Sequence, residues 1–107
     1  AQTIQFCEEN QFTAILAKAI NGVAQLHRQQ QNFEQALASH LQAIDLLDKL
    51  RARCELADAY FQMGLTYQAM GNGEKSAIRF QEAIDLFTQM RAPRQVERVQ
   101  QAMGQFP

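Results

Sequence analysis

Ala59–Leu86, AYFQMGLTYQAMGNGEKSAIRFQEAIDL, decides how the rest of the chain reads. Its first half sets Tyr60, Met63, Gly64 and Tyr67 at intervals of three and four residues, the spacing of one face of an α-helix. Its second half does the same with Ala77, Phe80, Ala83, Ile84 and, just beyond, Phe87. Gly71-Asn72-Gly73 lies between them and reads as a tight turn. A glycine inside a helix costs about 1 kcal/mol against alanine, so Gly64 reads as a place where a neighbouring backbone comes close.

The flanking sequence extends the same theme. Residues 1–9, AQTIQFCEE, have weak periodicity, with Ile4 and Phe6 off the helical spacing; they read as a leader or as the end of a helix that caps the first unit. Asn10 is a plausible N-cap for a helix carrying Phe12, Ile15, Leu16, Ala19, Ile20, Val23, Ala24 and Leu26, which ends in the glutamine run 29–31. Asn32 opens the next helix, with Phe33, Ala36, Leu37, His40, Leu41, Ile44 and Leu47 on its stripe, running to about Leu50. A turn around Arg51–Cys54 leads into the opening stretch. Arg91-Ala92-Pro93 ends the fourth helix near Met90, because proline cannot continue a helix interior. A last short helix from Gln95 to about Gln105 sets Val96, Val99, Met103 and Phe106 on one side.

Laid over itself, the chain repeats. Ala43-Ile44-Asp45-Leu46 returns as Ala83-Ile84-Asp85-Leu86, and Arg51-Ala52 as Arg91-Ala92, both at an offset of 40 residues. Asn32 and Glu34 match Asn72 and Glu74, Ala17 matches Ala57, and the small residues Ala24, Gly64 and Gly104 stand at the same interval. A fixed period in this range, each unit a helix pair, is the mark of an α-solenoid. The expected fold class is all-α, a stack of about two and a half helix pairs. The division reads as 1–11 leader or cap, 12–51 first unit, 52–92 second, and 93–107 a partial unit or capping helix.

Composition agrees and excludes several functions. A chain of 107 residues that is 47% apolar supports one domain. Net charge is −1 and the pI about 6.1, without the basic surplus of a phosphate-contacting protein, so nucleic acid is not an expected partner. Cys7 and Cys54 form no CxxC pair and read as reduced thiols of a cytoplasmic protein. No apolar run approaches the ~18 residues of a membrane span. The first residue is alanine, which points to a processed chain or a fragment.

Tyr60-x-x-Met63-Gly64-x-x-Tyr67 followed by Ser76-x-x-x-Phe80-x-x-Ala83 resembles the tetratricopeptide repeat, W-x₂-L-G-x₂-Y…A-x₃-F. Ile20, Val23, Ala24, His27, Ala36, His40 and Ala43 take the corresponding places in the first unit, and Gln100, Met103 and Gly104 begin a third. The family's closing proline is missing from its usual place and the period is 40 instead of 34, as in the subset whose two helices are both extended.

The resemblance implies a protein-interaction or scaffold module that holds a peptide or helix on its concave face. The residues it places there are Lys18, Asn21, Gln25 and Arg28, then Asp58, Phe61, Leu65 and Gln68, then Arg98 and Gln101. Members that clamp a carboxylate use lysine, asparagine and arginine at several of these places. Asn21 fits that pattern poorly, and Asp58, Phe61 and Leu65 depart from it. The mixed surface suits an amphipathic helix or a mixed peptide, and charged residues at 61 and 65 should then block binding without loss of helix.

Other readings compete. The stack could self-associate through Val96, Val99, Met103 and Phe106 at an incomplete end, or be a regulatory domain cut from a larger enzyme or transcription regulator. No catalytic, metal or cofactor site is expected. His27 and His40 stand where Tyr67 and Phe80 stand one unit later, so both read as packed between helices, and no phosphate loop, GxSxG or HExxH occurs.

Overall fold

The computed structural model describes the backbone of residues 2–104 and the side chains of residues 15–104. Those residues form five helices and no strand: α1 (Gln2–Gln29), α2 (Phe33–Leu50), α3 (Arg53–Ala69), α4 (Gly73–Gln89) and α5 (Pro93–Ala102). The expected all-α architecture is what the chain adopts. Cys7, Phe12 and Phe106 lie outside the residues whose side chains are described.

The four turns share one construction. The residues at 31, 51, 71 and 91 all take left-handed backbone, with φ of 66°, 55°, 81° and 56°. The amide of each bonds the carbonyl three residues back, and the next amide reaches five residues back, as in Asn72 N–H to Tyr67 O at 2.9 Å and Ala92 N–H to Phe87 O at 2.9 Å. This is a Schellman closure. Gly71 takes that φ freely, whereas Gln31, Arg51 and Arg91 hold it against about 1–2 kcal/mol each.

Helix starts follow local chemistry. Asn72 Oδ1 accepts the Lys75 N–H at 3.2 Å, while Asn32 makes no such bond. Pro93 sits in the first turn of α5, where its missing N–H costs nothing, so α5 opens at the proline itself and ends at Ala102. The largest departure from expectation is at the other end. α1 runs through Asn10 unbroken, so Asn10 is no cap and residues 2–11 continue the first helix. That stretch has no proline or glycine, and extending an existing helix is cheap compared with starting one.

α1 lies along α2 and α3 along α4 as two pairs; α2 packs on α3, α4 on α5, and α1 touches α3. The 40-residue period reappears as burial. Ala17 and Ala57, Ala36 and Ser76, Ala43 and Ala83, and Leu47 and Phe87 are all buried, as are the pairs Ala24–Gly64 and His40–Phe80. No helix pair could cover these faces alone.

Gly64 is tight for a different reason from the one its sequence implied. A Cβ there would stand 2.6 Å from Phe80 Cδ1 and 2.7 Å from Cε1, so the neighbour is an aromatic ring and not a backbone. The ring is itself 2% exposed and has nowhere to go. In the first unit the same two positions hold Ala24 and the smaller His40. Gly64→Ala is therefore expected to destabilise the fold by about 1–3 kcal/mol despite alanine's better helix propensity. Urea denaturation checks it, and an unchanged or higher midpoint would refute the contact. Gly104 is not a third case: it follows the end of α5 with φ 75° and closes that helix.

The last helix is anchored by one buried residue. Val99 is fully buried against Ala57, Phe61, Phe80, Ala83 and Phe87, with Val96 and Met103 packed around that cluster. Of the residues expected at an assembly surface, Val99 is covered by this chain itself, Val96 and Met103 stay partly exposed, and Phe106 lies outside the described residues.

Candidate functional site

α1, α3 and α5 are the first helices of successive units, and together they line a groove of about 380 Å³. Lys18, Asn21 and Gln25 come from α1, Cys54, Glu55 and Asp58 from α3, and Gln95 and Arg98 from α5, with Leu47 and Phe87 of the second helices also contributing to the lining. Positions 18, 58 and 98 are one unit apart, so lysine, aspartate and arginine form a column of alternating charge. Arg98 Nη2 meets Asp58 Oδ1 at 2.7 Å, and its guanidinium lies 4.5 Å from the centre of the Phe61 ring. Both side chains of this pair are substantially exposed, so it contributes at most about 1 kcal/mol. Lys18 has no carboxylate in salt-bridge range among the described residues.

Asn21 is the unusual member. It is 8% exposed, and its Oδ1 is buried with no hydrogen-bond partner among the described residues. An acceptor left like this costs about 1–3 kcal/mol. One unit later Phe61 fills the place with a ring.

Five of the ten sequence-predicted residues line the groove: Lys18, Asn21, Gln25, Asp58 and Arg98. The other five are engaged elsewhere or lie off it. Phe61 is 6% exposed and belongs to the core, its ring centroid 5.8 Å from that of Phe80. Leu65 is half-buried against the same cluster. Arg28 donates to the Gln62 carbonyl at 3.2 Å and to Gln62 Oε1 at 3.1 Å. Gln68 donates its amide to the Ala102 carbonyl at 2.8 Å, and Gln101 is exposed outside the groove. Glu55 and Gln95 were missed, although each stands three residues before Asp58 and Arg98, on the same helix face. Cys54, exposed and unbridged, is a further lining residue.

The histidines are not brought together. His40 is fully buried and its Nε2 lies 2.8 Å from Thr66 Oγ1, whose hydroxyl donates to the Gln62 carbonyl at 3.2 Å. That chain makes His40 the donor through Nε2–H, leaving Nδ1 as a bare buried acceptor. Burial, and then the Arg28 charge, lower its pKa to about 4. No group of three or more metal-ligating side chains occurs among the described residues, and none of their helices is long and apolar enough to cross a membrane.

The family follows from comparison. The tetratricopeptide repeat model matches residues 15–89, most of the chain, from the second half of α1 to the end of α4. The chain belongs to the tetratricopeptide repeat family. Repeats of this family are non-catalytic and generally mediate protein–protein interaction or scaffolding. No curated protein and no solved structure matches the chain. As a tetratricopeptide repeat chain it keeps the small-residue contacts of the motif (Ala24, Gly64, Ala43, Ala83) while replacing the paired aromatics of the first unit by histidines.

Proposed function

We propose that this chain binds a short extended segment of a partner protein in the groove between α1, α3 and α5. The observation that carries the reading is Asn21, a groove-lining residue whose Oδ1 is a buried acceptor without a donor among the described residues. A peptide N–H would complete it, and an unmet buried acceptor gains more from such a bond than one already hydrated. Lys18 and Glu55 flank it and offer one charge of each sign to a polar segment. The helix-binding form expected from the sequence rested on Phe61 and Leu65, and neither lines the groove. The volume also argues for an extended ligand, since a helix about 10 Å across would fill it in roughly one turn.

Random peptides displayed on phage and selected against the chain supply the test. Selected binders should lose at least tenfold in affinity, about 1.4 kcal/mol, on Asn21→Ala and on Lys18→Glu. Asn21→Ala should at the same time leave the urea midpoint unchanged or raise it, because an unsatisfied acceptor is removed. Failure to select binders, or binders indifferent to both substitutions, would overturn the reading.

A further inference from the structure

The charged side chains that line the groove between α1, α3 and α5 are not equally available. Arg98 is engaged three times over. Its Nη2 donates to Asp58 Oδ1 at 2.7 Å, its Nη1 donates to Gln95 Oε1 at 3.2 Å, and the guanidinium lies 4.5 Å from the centre of the Phe61 ring. Asp58 meets Arg98 through that one oxygen, and its Oδ2 makes no bond among the described residues.

Glu55 stands apart from this pair. It lines the groove three residues before Asp58, on the same face of α3, and is half-buried without a hydrogen bond among the described residues. All ten lysines and arginines of the chain are among those residues, and none forms an ion pair with Glu55. A glutamate in the first turn of a helix suits the dipole there, but that holds in any surroundings. What these surroundings add is Asn21 of α1, which is 8% exposed and whose Oδ1 is a buried acceptor with no donor among the described residues. Acceptors in need of a donor therefore belong to both walls of the groove.

We propose that the segment held in this groove presents an arginine side chain to Glu55 while its backbone N–H meets Asn21. This rests on the groove being the binding surface and adds what that surface selects. Arginine fits the α3 wall better than lysine. Its planar guanidinium meets one carboxylate with two parallel bonds and keeps further N–H donors for the open oxygen of Asp58, whereas an ammonium is a single point charge. Arg98 cannot take this part, being held by Asp58 and Gln95. Lys18, on α1, is left for an acidic group of the same segment. An acidic side chain at the arginine's place would set like charges together, which selects against it.

The peptides selected on phage supply the first arm of the test, in which an arginine at one shared position is expected. Binders without it would leave the groove reading standing and overturn this inference; no binders at all would overturn both. The second arm is a double-mutant cycle on one selected peptide. Replacing its arginine by citrulline keeps the shape and removes the charge, and should weaken binding at least tenfold; Glu55→Gln should do the same to the arginine peptide. Toward the citrulline peptide Glu55→Gln should change affinity by no more than about twofold, because the pair is already broken. Equal losses toward both peptides would mean that Glu55 acts only by starting α3, and would overturn the pairing. The urea midpoint of Glu55→Gln, measured alongside, reads that helix-starting effect by itself.

Discussion

Phe61→Glu is expected to unfold the second repeat at room temperature, with loss of helical circular dichroism. The ring is 6% exposed, packs against Phe80 and Val99, and lies under the guanidinium of Arg98. Truncating a buried phenylalanine typically costs about 3–5 kcal/mol, and a carboxylate in its place adds a desolvation penalty. Small domains have about 5–15 kcal/mol in total, and a stack of two pairs with one further helix belongs near the low end. Leu65→Glu should be much milder, since Leu65 is only half-buried at the margin of that cluster. Urea denaturation followed at 222 nm separates the two. If Phe61→Glu shifted stability by less than about 0.5 kcal/mol, as surface substitutions do, the core placement of this ring would be wrong. The consequence for function is practical. Loss of binding in this variant would report unfolding, so Asn21 and Lys18 are the positions that can report on the groove.

Acid should expose the second large effect, through His40. Its folded pKa, about 4, lies below the ordinary histidine value of 6.5, first because it is buried and then because Arg28 is near. Between those two values the unfolded chain binds a proton that the folded chain refuses. Stability is therefore complete above about pH 6.5, falls as pH drops towards 4, and has lost about 3 kcal/mol by then. Structure gives the same sign. Nδ1 is enclosed without a partner among the described residues, so a proton placed there would be a buried donor with none of them to bond. Urea midpoints at pH 7, 5.5 and 4 for the parent and for His40→Leu isolate the effect, because His27 and the carboxylates are common to both. Parallel losses in the two proteins would refute it.

These effects also show what could be read in advance. The period of 40 residues, the helix pairs and the family were legible because burial repeats as the sequence does: Ala43 and Ala83, or Leu47 and Phe87, are apolar or small for the same packing reason. That five of the ten expected positions share one cleft has a related reason. A column such as Lys18, Asp58 and Arg98 needs only the register, and the register was known. Phe61 went wrong because register assigns a position to a face without saying how deep that face lies. Asn21 and Phe61 are equivalent positions, yet α5 and Arg98 close over Phe61, while Asn21 borders an open groove.

Glycine illustrates the same limit. Gly64 announced a close approach, but whether a backbone or a ring approached depended on Phe80, sixteen residues away. The αL turns at Gln31, Arg51 and Arg91 carried no signal, since residues that ordinarily avoid that conformation are held in it by two backbone bonds each.

The ends of the stack show the same limit. Val96, Val99 and Met103 form an apolar face whether or not something covers it, and so do Leu16, Val23 and Leu26. By itself the sequence determined that this chain is a run of paired helices with a 40-residue period, because local spacing sets which residues share a face. Which of those faces meet was decided only in the tertiary structure, because α5 folds back on α4 and α2 lies between α1 and α3, and that depends on contacts between residues far apart in the chain.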